Sequence, residues 1–573
     1  MWKRALDAAP AQLAIDWSSD RTERMPGPYS GPAAAGGVPS RQRVRHLALV
    51  CWVLLVGAGL RIYDLGAESY WFDEIITVRL AAQGPGAVLD SFYRSGRPPM
   101  QVMLTSLWMR VVGPNEFCTR YPSAFAGTLS IAVMYVIGRQ LFSGRVGLVG
   151  AVLLAVSEFQ ILHSQETRYY ALFLAFTLLS FFFYTRAVER RDAASHGFHA
   201  MATIAMFYTH QYGFFVIVAQ GLHFIAQRWP LRRRIETGSL RVWIIFQLVV
   251  LLSIAPALRL GATFRGTVYP LSWLGEPSPA ALAITVLRYV GSRFPVRTTV
   301  VGATTFLACG SVAYILALGK RSWLASVGAL ADTPRVLLEK KRELALAAFW
   351  LLCPTLIPWV LSKLVRPIYE VRYTIGAAPA LYLLLAVLAS TIHRVVPAPV
   401  VLGFVAILVG PGLHEYYVGV THEDWRGAAH YVDDHAQSGD AIVVPHPVLG
   451  RHAFGWYYQG QIQECTMDRR RPDSVAVIEA ANRCSSESSR VWLVYRAFSF
   501  HGTHLEETDW RAAGFRLVEL SRFRGVPVYL FERVEEDGDS SSLRRWHGPL
   551  PYASSTCVTH SGRTRCRPRG VSL

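Results

Sequence analysis

The residues of this sequence best suited to chemistry are two adjacent carboxylates, Asp73 and Glu74. They follow the first apolar segment of membrane length, Leu47 to Tyr63, and come directly after Trp71 and Phe72. Aromatic rings favour the headgroup region of a bilayer, where a carboxylate is costly unless it is solvated or has a function. A carboxylate at that depth can deprotonate a hydroxyl group. The alternative interpretation is a solvated acidic pair that ends a helix.

A second group of polar residues, HSQETRYY, runs from His163 to Tyr170 at the end of another apolar segment. Helical spacing places His163, Glu166 and Tyr170 on one face, where histidine and glutamate can share a divalent cation or hold an acceptor. Because two ligands do not define a metal site, a divalent cation stays a candidate cofactor. The alternative is a local ion pair between Glu166 and Arg168, with the tyrosines as interfacial anchors.

Cationic residues form a third group at the ends of apolar segments, namely Arg97, Arg168, Arg366 and Arg372 with the adjacent Tyr373. The planar guanidinium group matches phosphate oxygens and offsets the charge of a departing phosphate. Their clustering on one predicted side of the membrane favours phosphate binding over the alternative role of snorkelling anchors. His210, in the sequence FYTHQYG, is interpreted as a histidine of a helix turn.

These side chains require a scaffold that holds them at a membrane. With 573 residues, 52% of them hydrophobic and only 17% charged, the chain is predicted to be a polytopic α-helical membrane protein. Apolar segments recur about eleven times if each span needs about 20 residues. They are Leu47 to Tyr63, Tyr121 to Phe142, Val146 to His163, Tyr170 to Ala187, Phe198 to Tyr208, Gly213 to Ala226, Val242 to Leu258, Thr298 to Leu318, Leu344 to Leu361, Tyr373 to Ile392 and Val400 to Tyr416.

The net charge of +18 comes from basic residues scattered between these segments, without an aromatic and basic RNA motif. We therefore expect membrane lipid and no nucleic acid as the anionic partner. Residues 1–45 contain no signal-peptide core, which predicts a disordered cytoplasmic lead and a signal anchor. Basic loops such as Arg186 to Arg191 and Arg228 to Arg241 then lie inside. An odd number of spans places the C-terminal part outside a cytoplasmic membrane.

The pattern changes after the last apolar segment. Residues 46–417 form the predicted membrane domain, 418–535 a small extracytoplasmic α/β domain and 536–573 a disordered tail. The α/β prediction depends on a helix, two strands and a hairpin, which are Asp424 to Asp434, Ala441 to Val444, Arg490 to Tyr495, and Phe515 to Leu520 with Val526 to Phe531. Nearest-neighbour pairing suggests disulfides from Cys465 to Cys484 and from Cys557 to Cys566. Gly96 to Gly113 is predicted to be a surface-lying amphipathic helix.

The order of the motifs resembles a known family. WFDE, RPPM, NEFCTRYPSAFAG, GRQLF, SQETRYYAL and VRYTIGAAPAL, between about Arg45 and Tyr416, are similar to motifs of GT-C glycosyltransferases. The resemblance is to the protein O-mannosyltransferase and lipid A aminoarabinose transferase type. It implies an inverting enzyme that takes a sugar from a polyprenyl-phosphate donor on the outer side of the membrane. The acceptor is then a hydroxyl group of a glycan, lipid or protein of the cell envelope.

The resemblance also implies roles for individual residues. Asp73 matches the catalytic acidic position and is expected to be the general base, and the segment around Glu166 and Arg168 matches the second motif. Glu74, His163 and Glu166 are expected to orient the acceptor or a cation. The donor phosphate is expected to contact Arg97, Arg168, Arg372 and Tyr373, although the acidic Glu370 departs from the family pattern. The alternatives are an oligosaccharide ligase or polymerase, or a lipid-linked sugar transporter.

Overall fold

The computed structural model describes residues 41–227, 237–263, 274–290, 339–392, 398–419, 422–445, 449–460, 463–465, 474–484, 489–494, 507–534, 557–560 and 563–566. Within these residues, fifteen α-helices precede the C-terminal domain. In chain order they are α1 Arg41–Ile62, α2 Phe72–Ala82, α3 Pro85–Ser95, α4 Met100–Val112, α5 Glu116–Leu141, α6 Gly144–Val156, α7 Glu158–Ser164, α8 Tyr170–Arg190, α9 Ala193–Thr209, α10 Gly213–Ala226, α11 Thr237–Thr263, α12 Ala280–Val290, α13 Lys341–Leu364, α14 Ala378–Ile392 and α15 Ala398–Val418.

The helices confirm a polytopic membrane protein. Within the described residues, six helices are long and apolar enough to cross a membrane, or seven if α6 and α7 together form one span. Two of the predicted short spans, α9 and α10, meet at the His210–Tyr212 turn. Another predicted span, Thr298 to Leu318, lies outside the described residues. The predicted amphipathic helix appears as α4, which begins after two prolines that suit a helix start.

The predicted span from Val146 to His163 consists of two helices, because α6 and α7 meet at a bend of 62° at Ser157. The bend leaves helical carbonyls without their usual donors. Arg61, which is fully buried, replaces these donors: its Nη1 donates to Ala155 O and its Nη2 to Leu154 O, both at 3.0 Å. Ser157 Oγ caps the new helix by accepting from Gln160 N at 3.4 Å. The bend therefore changes the direction of the chain that leads to the polar segment after α7.

The predicted span from Tyr373 to Ile392 also differs, since it begins with a 3-10 helix over Val371–Ala377 before α14. Trp350 Nε1 on α13 donates to Gly376 O at 2.7 Å. Gly376 itself packs against Phe173 and Thr177 of α8, where a Cβ would lie 3.1 Å from each side chain. This close approach fixes the 3-10 helix, and thus Arg372, against α8.

The C-terminal domain is a five-stranded mixed sheet in the order β2-β1-β3-β5-β4 between two helical layers. Its elements are α16 Trp425–His435, β1 Ala441–Val443, α17 Leu449–Tyr457, β2 Gln463–Cys465, α18 Ser474–Cys484, β3 Arg490–Val494, α19 Glu507–Ala512, β4 Phe515–Phe523 and β5 Val526–Arg533. The predicted helix, strands and hairpin are confirmed by these elements. The alternation of side chains along each strand sends one set toward α16 and α17 and the other toward α18 and α19.

Two cysteine predictions can be compared with the structure. Cys465 is disulfide-bonded, and the side chain of its predicted partner, Cys484, lies outside the described residues. The tail that was expected to be disordered contains a hairpin, β6 Cys557–His560 and β7 Arg563–Cys566, whose register places Cys557 opposite Cys566. Of the remaining cysteines, Cys51, Cys118 and Cys353 are free.

The C-terminal domain packs directly on the segment that carries Asp73 and Glu74. Tyr70, Ile75 and Val78 belong to the same buried cluster as the side chains of α16 and α17. Tyr457 OH on α17 accepts from Tyr70 N at 2.7 Å, and Ser69 Oγ donates to Glu423 O at 2.6 Å. The α/β domain therefore lies on the same side of the membrane as the two carboxylates and holds the start of α2.

Candidate active site

The two adjacent carboxylates have different surroundings. The Glu74 side chain is fully buried and receives a bidentate ion pair from Arg120, with Nε at 2.9 Å from Oε1 and Nη2 at 2.7 Å from Oε2. Thr167 N also donates to Glu74 Oε1 at 2.7 Å. Arg120 binds the carbonyls of Leu65, Glu68 and Ser69 as well. Glu74 thus joins α2, α5 and the segment after α7, and this geometry favours a positioning role over a catalytic one.

Glu74→Gln is expected to destabilise the protein by about 3 kcal/mol, because it leaves the buried Arg120 cation without a full counter-charge. The measurement is the thermal unfolding midpoint of the purified protein in detergent. Asp90→Asn is the matched control, since the Asp90 side chain is 57% exposed in its ion pair with Arg94 and such pairs contribute little. An unchanged midpoint together with lost sugar transfer would return Glu74 to a catalytic role.

Asp73, in contrast, is partly open and faces two cations. Its Oδ2 lies 3.5 Å from Arg168 Nη2 and 3.5 Å from Arg372 Nη1, and its side chain is 22% exposed. Arg168 is held in place by donating from Nη1 to Asp73 O at 2.9 Å and to Thr77 Oγ1 at 3.0 Å. Three predicted site residues from distant parts of the sequence therefore meet at one carboxylate oxygen.

Aromatic rings support these cations. The Arg168 guanidinium lies 4.7 Å from the ring centre of Tyr169, and that of Arg372 lies 5.8 Å from Trp71 and 5.9 Å from Tyr373. Tyr373, a predicted donor-binding residue, is thus beside the site. The Nε of Arg168 and the Nε1 of Trp71 are buried donors without a hydrogen-bond partner among the described residues. Unused donors beside paired guanidinium groups suit an anionic ligand.

His163 and Glu166 come together as predicted, with His163 Nδ1 at 3.2 Å from Glu166 Oε2. Burial raises the pKa of Glu166, but His163 and His422 outweigh it and hold this pKa well below its usual range. Among the residues that the structure describes, no group of three or more histidine, cysteine, aspartate or glutamate side chains could hold a metal ion. His163 and Glu166 therefore form a hydrogen-bonded pair.

Sequence reasoning missed His422, which links this pair to the C-terminal domain. Its Nδ1 contacts Glu68 Oε2, its Nε2 lies 4.0 Å from Glu166 Oε1, and its ring stacks on Trp71 at 5.9 Å. His422 stands 354 residues from Glu68, so no local pattern could have paired them. The junction between the membrane domain and the α/β domain therefore contributes directly to the site.

His422 predicts a pH-dependent stability. Burial lowers its pKa, but hydrogen bonds to Glu166 and Glu68, with a smaller contribution from Glu74, outweigh burial and raise it to about 9. A pKa that is raised in the folded state stabilises the folded protein. This stabilisation is on the order of 3 kcal/mol; it is fully present below the unfolded-state pKa near 6.5 and is lost between about pH 6.5 and 9. Thermal midpoints should therefore fall more steeply over this range in the natural protein than in His422→Gln. The same dependence of the midpoint on pH in both proteins would contradict a raised pKa of His422.

The remaining predicted cations lie in other segments of the membrane domain. Arg97 lies in the short segment between α3 and α4, and the adjacent Gly96 O accepts from Gln211 Nε2 at 3.2 Å. This contact joins the Arg97 segment to the turn between α9 and α10. Arg366 is exposed just after α13. The structure therefore brings Arg168 and Arg372 to Asp73, places Arg97 in a neighbouring segment, and leaves Arg366 on the surface.

Comparisons with known proteins agree with this architecture. A sequence profile of the dolichyl-phosphate-mannose-protein mannosyltransferase family matches residues 96–259, which include Arg97, Glu166 and Arg168. A search of curated proteins finds no match. ArnT from Cupriavidus metallidurans in the apo state is similar over 85% of this chain and 98% of its own, with 11% identity and a TM-score of 0.51.

Two further solved structures match this chain with lower TM-scores. ArnT bound to undecaprenyl phosphate matches 86% of this chain and 98% of its own at 12% identity, with a TM-score of 0.39. The S. cerevisiae protein O-mannosyltransferase Pmt1–Pmt2 complex bound to the sugar donor matches 38% of this chain and 33% of its own at 21% identity, with a TM-score of 0.32.

The fold and the site define a class: a polytopic membrane protein with a small α/β domain and a carboxylate beside paired arginines. The chain has the GT-C fold. The predicted resemblance to GT-C glycosyltransferases of the protein O-mannosyltransferase and lipid A aminoarabinose transferase type is confirmed.

Proposed function

We propose that this protein is an inverting membrane glycosyltransferase that moves a sugar from a polyprenyl-phosphate donor to a hydroxyl acceptor. The observation that carries the proposal is that Asp73 Oδ2 lies 3.5 Å from Arg168 Nη2 and 3.5 Å from Arg372 Nη1. A base for the acceptor and cations for a phosphate are the two groups that this reaction needs side by side. The family profile supports a polyprenyl-phosphate donor, since its name states a dolichyl-phosphate sugar.

The proposed reaction is a single displacement at the anomeric carbon. Asp73 accepts the proton of the acceptor hydroxyl while the hydroxyl oxygen forms a bond to that carbon. The bond between the carbon and the phosphate oxygen breaks, and its electron pair leaves with the polyprenyl phosphate. Arg168 and Arg372 stabilise the developing phosphate charge. Attack opposite the leaving group inverts the anomeric configuration.

The neighbouring residues have supporting roles in this proposal. Glu74 positions α2 through its buried pair with Arg120. The Glu166 carboxylate, held by His163 and close to His422, orients the acceptor hydroxyl. Arg97, on its neighbouring segment, contacts the donor phosphate in this proposal. The same-fold protein ArnT has been crystallised with undecaprenyl phosphate, which is an analogy at the level of the fold.

We further propose that the reaction takes place on the outer side of the cytoplasmic membrane, with the N-terminus inside. The basic loops between predicted spans support this orientation. The α/β domain then lies outside with Asp73, because it packs on α2. The acceptor is a glycan, lipid or protein of the cell envelope.

The test is an analysis of lipid-linked sugars in cells that lack the protein. We expect a polyprenyl-phosphate sugar to accumulate and one envelope glycan to be missing, with rescue by the natural gene and none by Asp73→Asn. Rescue by Asp73→Asn would favour a transporter, which needs no base. Accumulation of a lipid-linked oligosaccharide in place of a single sugar would favour a ligase or polymerase.

A further inference from the structure

His210 lies at the centre of the aromatic side chains beside Asp73. Its side chain is buried in the turn between α9 and α10, and its ring centre lies 4.8 Å from Tyr169 and 5.0 Å from Tyr373. The same two rings lie beneath the guanidinium groups of Arg168 and Arg372. The histidine interpreted as part of a helix turn therefore packs on the two rings that support the cations of the proposed donor site.

The turn determines which nitrogen of His210 carries the proton. Tyr212 N donates to His210 Nδ1 at 3.1 Å, so Nδ1 is an acceptor and the proton of the neutral ring resides on Nε2. Burial, and then the charges of Arg168 and Arg372, lower the pKa of His210 to about 3. The ring is therefore neutral and carries an Nε2–H donor, and it lies close enough to Arg168 and Arg372 for their charges to act on it.

This Nε2–H donor forms no hydrogen bond in the described part of the chain, whereas Nδ1 is occupied. A donor in a buried polar site requires an acceptor when the site fills. The nearby cations attract an anion, and an anionic oxygen is the strongest acceptor that can enter. A neutral histidine adds a hydrogen bond there without adding a third positive charge.

We infer that His210 is a third donor to the phosphate of the polyprenyl-phosphate substrate, through its Nε2–H group. The inference rests on the proposed function and assigns this donor role to a neutral residue beside the two arginines. It predicts that the substrate phosphate lies within hydrogen-bond distance of Arg168, Arg372 and His210 together.

Two amide substitutions separate the donor role from the turn role. The amide of asparagine reaches only the Nδ1 position, and its oxygen can accept from Tyr212 N. The longer glutamine amide reaches the Nε2 position and can donate there. Under a donor role, His210→Gln should keep binding and His210→Asn should lose it. A purely structural role predicts the opposite order, since only asparagine restores the turn.

The experiment measures binding of geranyl phosphate, a short polyprenyl phosphate, to the full-length protein in detergent by ligand-induced thermal stabilisation. Geraniol and inorganic phosphate are the controls for the lipid chain and the free anion. We expect His210→Asn to weaken geranyl phosphate binding by about tenfold or more, the usual effect of losing one hydrogen bond to a charged group. His210→Gln should stay within about threefold of the natural protein.

Binding by His210→Asn at the natural level, or equal losses in both variants, would overturn the inference. The unfolding midpoint without ligand shows whether each variant is folded. If His210→Asn does not fold, His210→Gln still tests the inference, because failure of that variant to bind contradicts it. If the natural protein binds geranyl phosphate no better than geraniol, the proposed donor itself is wrong, which is a distinct outcome.

Discussion

Asp73→Asn is expected to lower sugar transfer by on the order of a hundredfold or more, the usual scale for a lost general base. Asparagine keeps the shape of the side chain but cannot accept the proton of the acceptor hydroxyl. Because the Asp73 carboxylate is partly open and is not part of the buried Glu74–Arg120 pair, the variant should fold normally. The measurement is the turnover of the purified protein with a polyprenyl-phosphate sugar.

The control for this prediction is Asp90→Asn, the same chemical change at an exposed position of α3. It should leave turnover and the unfolding midpoint unchanged. Near-normal transfer by Asp73→Asn would remove Asp73 as the base and favour the transporter. A loss of transfer together with a lower midpoint would instead indicate a structural contribution from Asp73.

Arg372→Ala is expected to weaken use of the donor by on the order of tenfold to a hundredfold, since a hydrogen-bonded charge contact with phosphate is lost. Arg372→Lys should restore only part of this loss, because an ammonium group lacks the planar fork of donors. The corresponding alanine and lysine substitutions at Arg168 should weaken use of the donor further. Arg168 also holds Asp73 O and Thr77 Oγ1, so its removal disturbs the base as well as the phosphate.

The measurement is the dependence of transfer rate on donor concentration, with binding of geranyl phosphate as a readout independent of turnover. Arg94→Ala is the matched control, because the Arg94 side chain is 80% exposed on α3. Unchanged donor dependence in both arginine variants would return Arg168 and Arg372 to the role of interfacial anchors.

Several of these assignments could be made from the amino-acid sequence alone. Apolar length and the positions of charged residues predicted the membrane helices, because a bilayer leaves few alternatives for an apolar chain of that length. Alternating side chains and turn residues predicted the hairpin of the α/β domain. The motifs named Asp73, Arg168, Arg372 and Tyr373, which the structure brings together.

Only the tertiary structure separated Asp73 from Glu74. The two carboxylates are adjacent, and their roles diverge because Arg120, 46 residues away, reaches one of them and not the other. The bend at Ser157 likewise depends on the buried Arg61, which supplies donors that the helix itself loses.

The local sequence therefore determined which segments enter the membrane and which residue types lie at its surface, because those properties depend on composition and spacing over a few turns. Tertiary structure decided which glutamate is buried and that His422 reaches Glu166. Each of these depends on a hydrogen bond or charge whose partner is set by folding. Burial in a low-dielectric interior then strengthens the interaction with that partner.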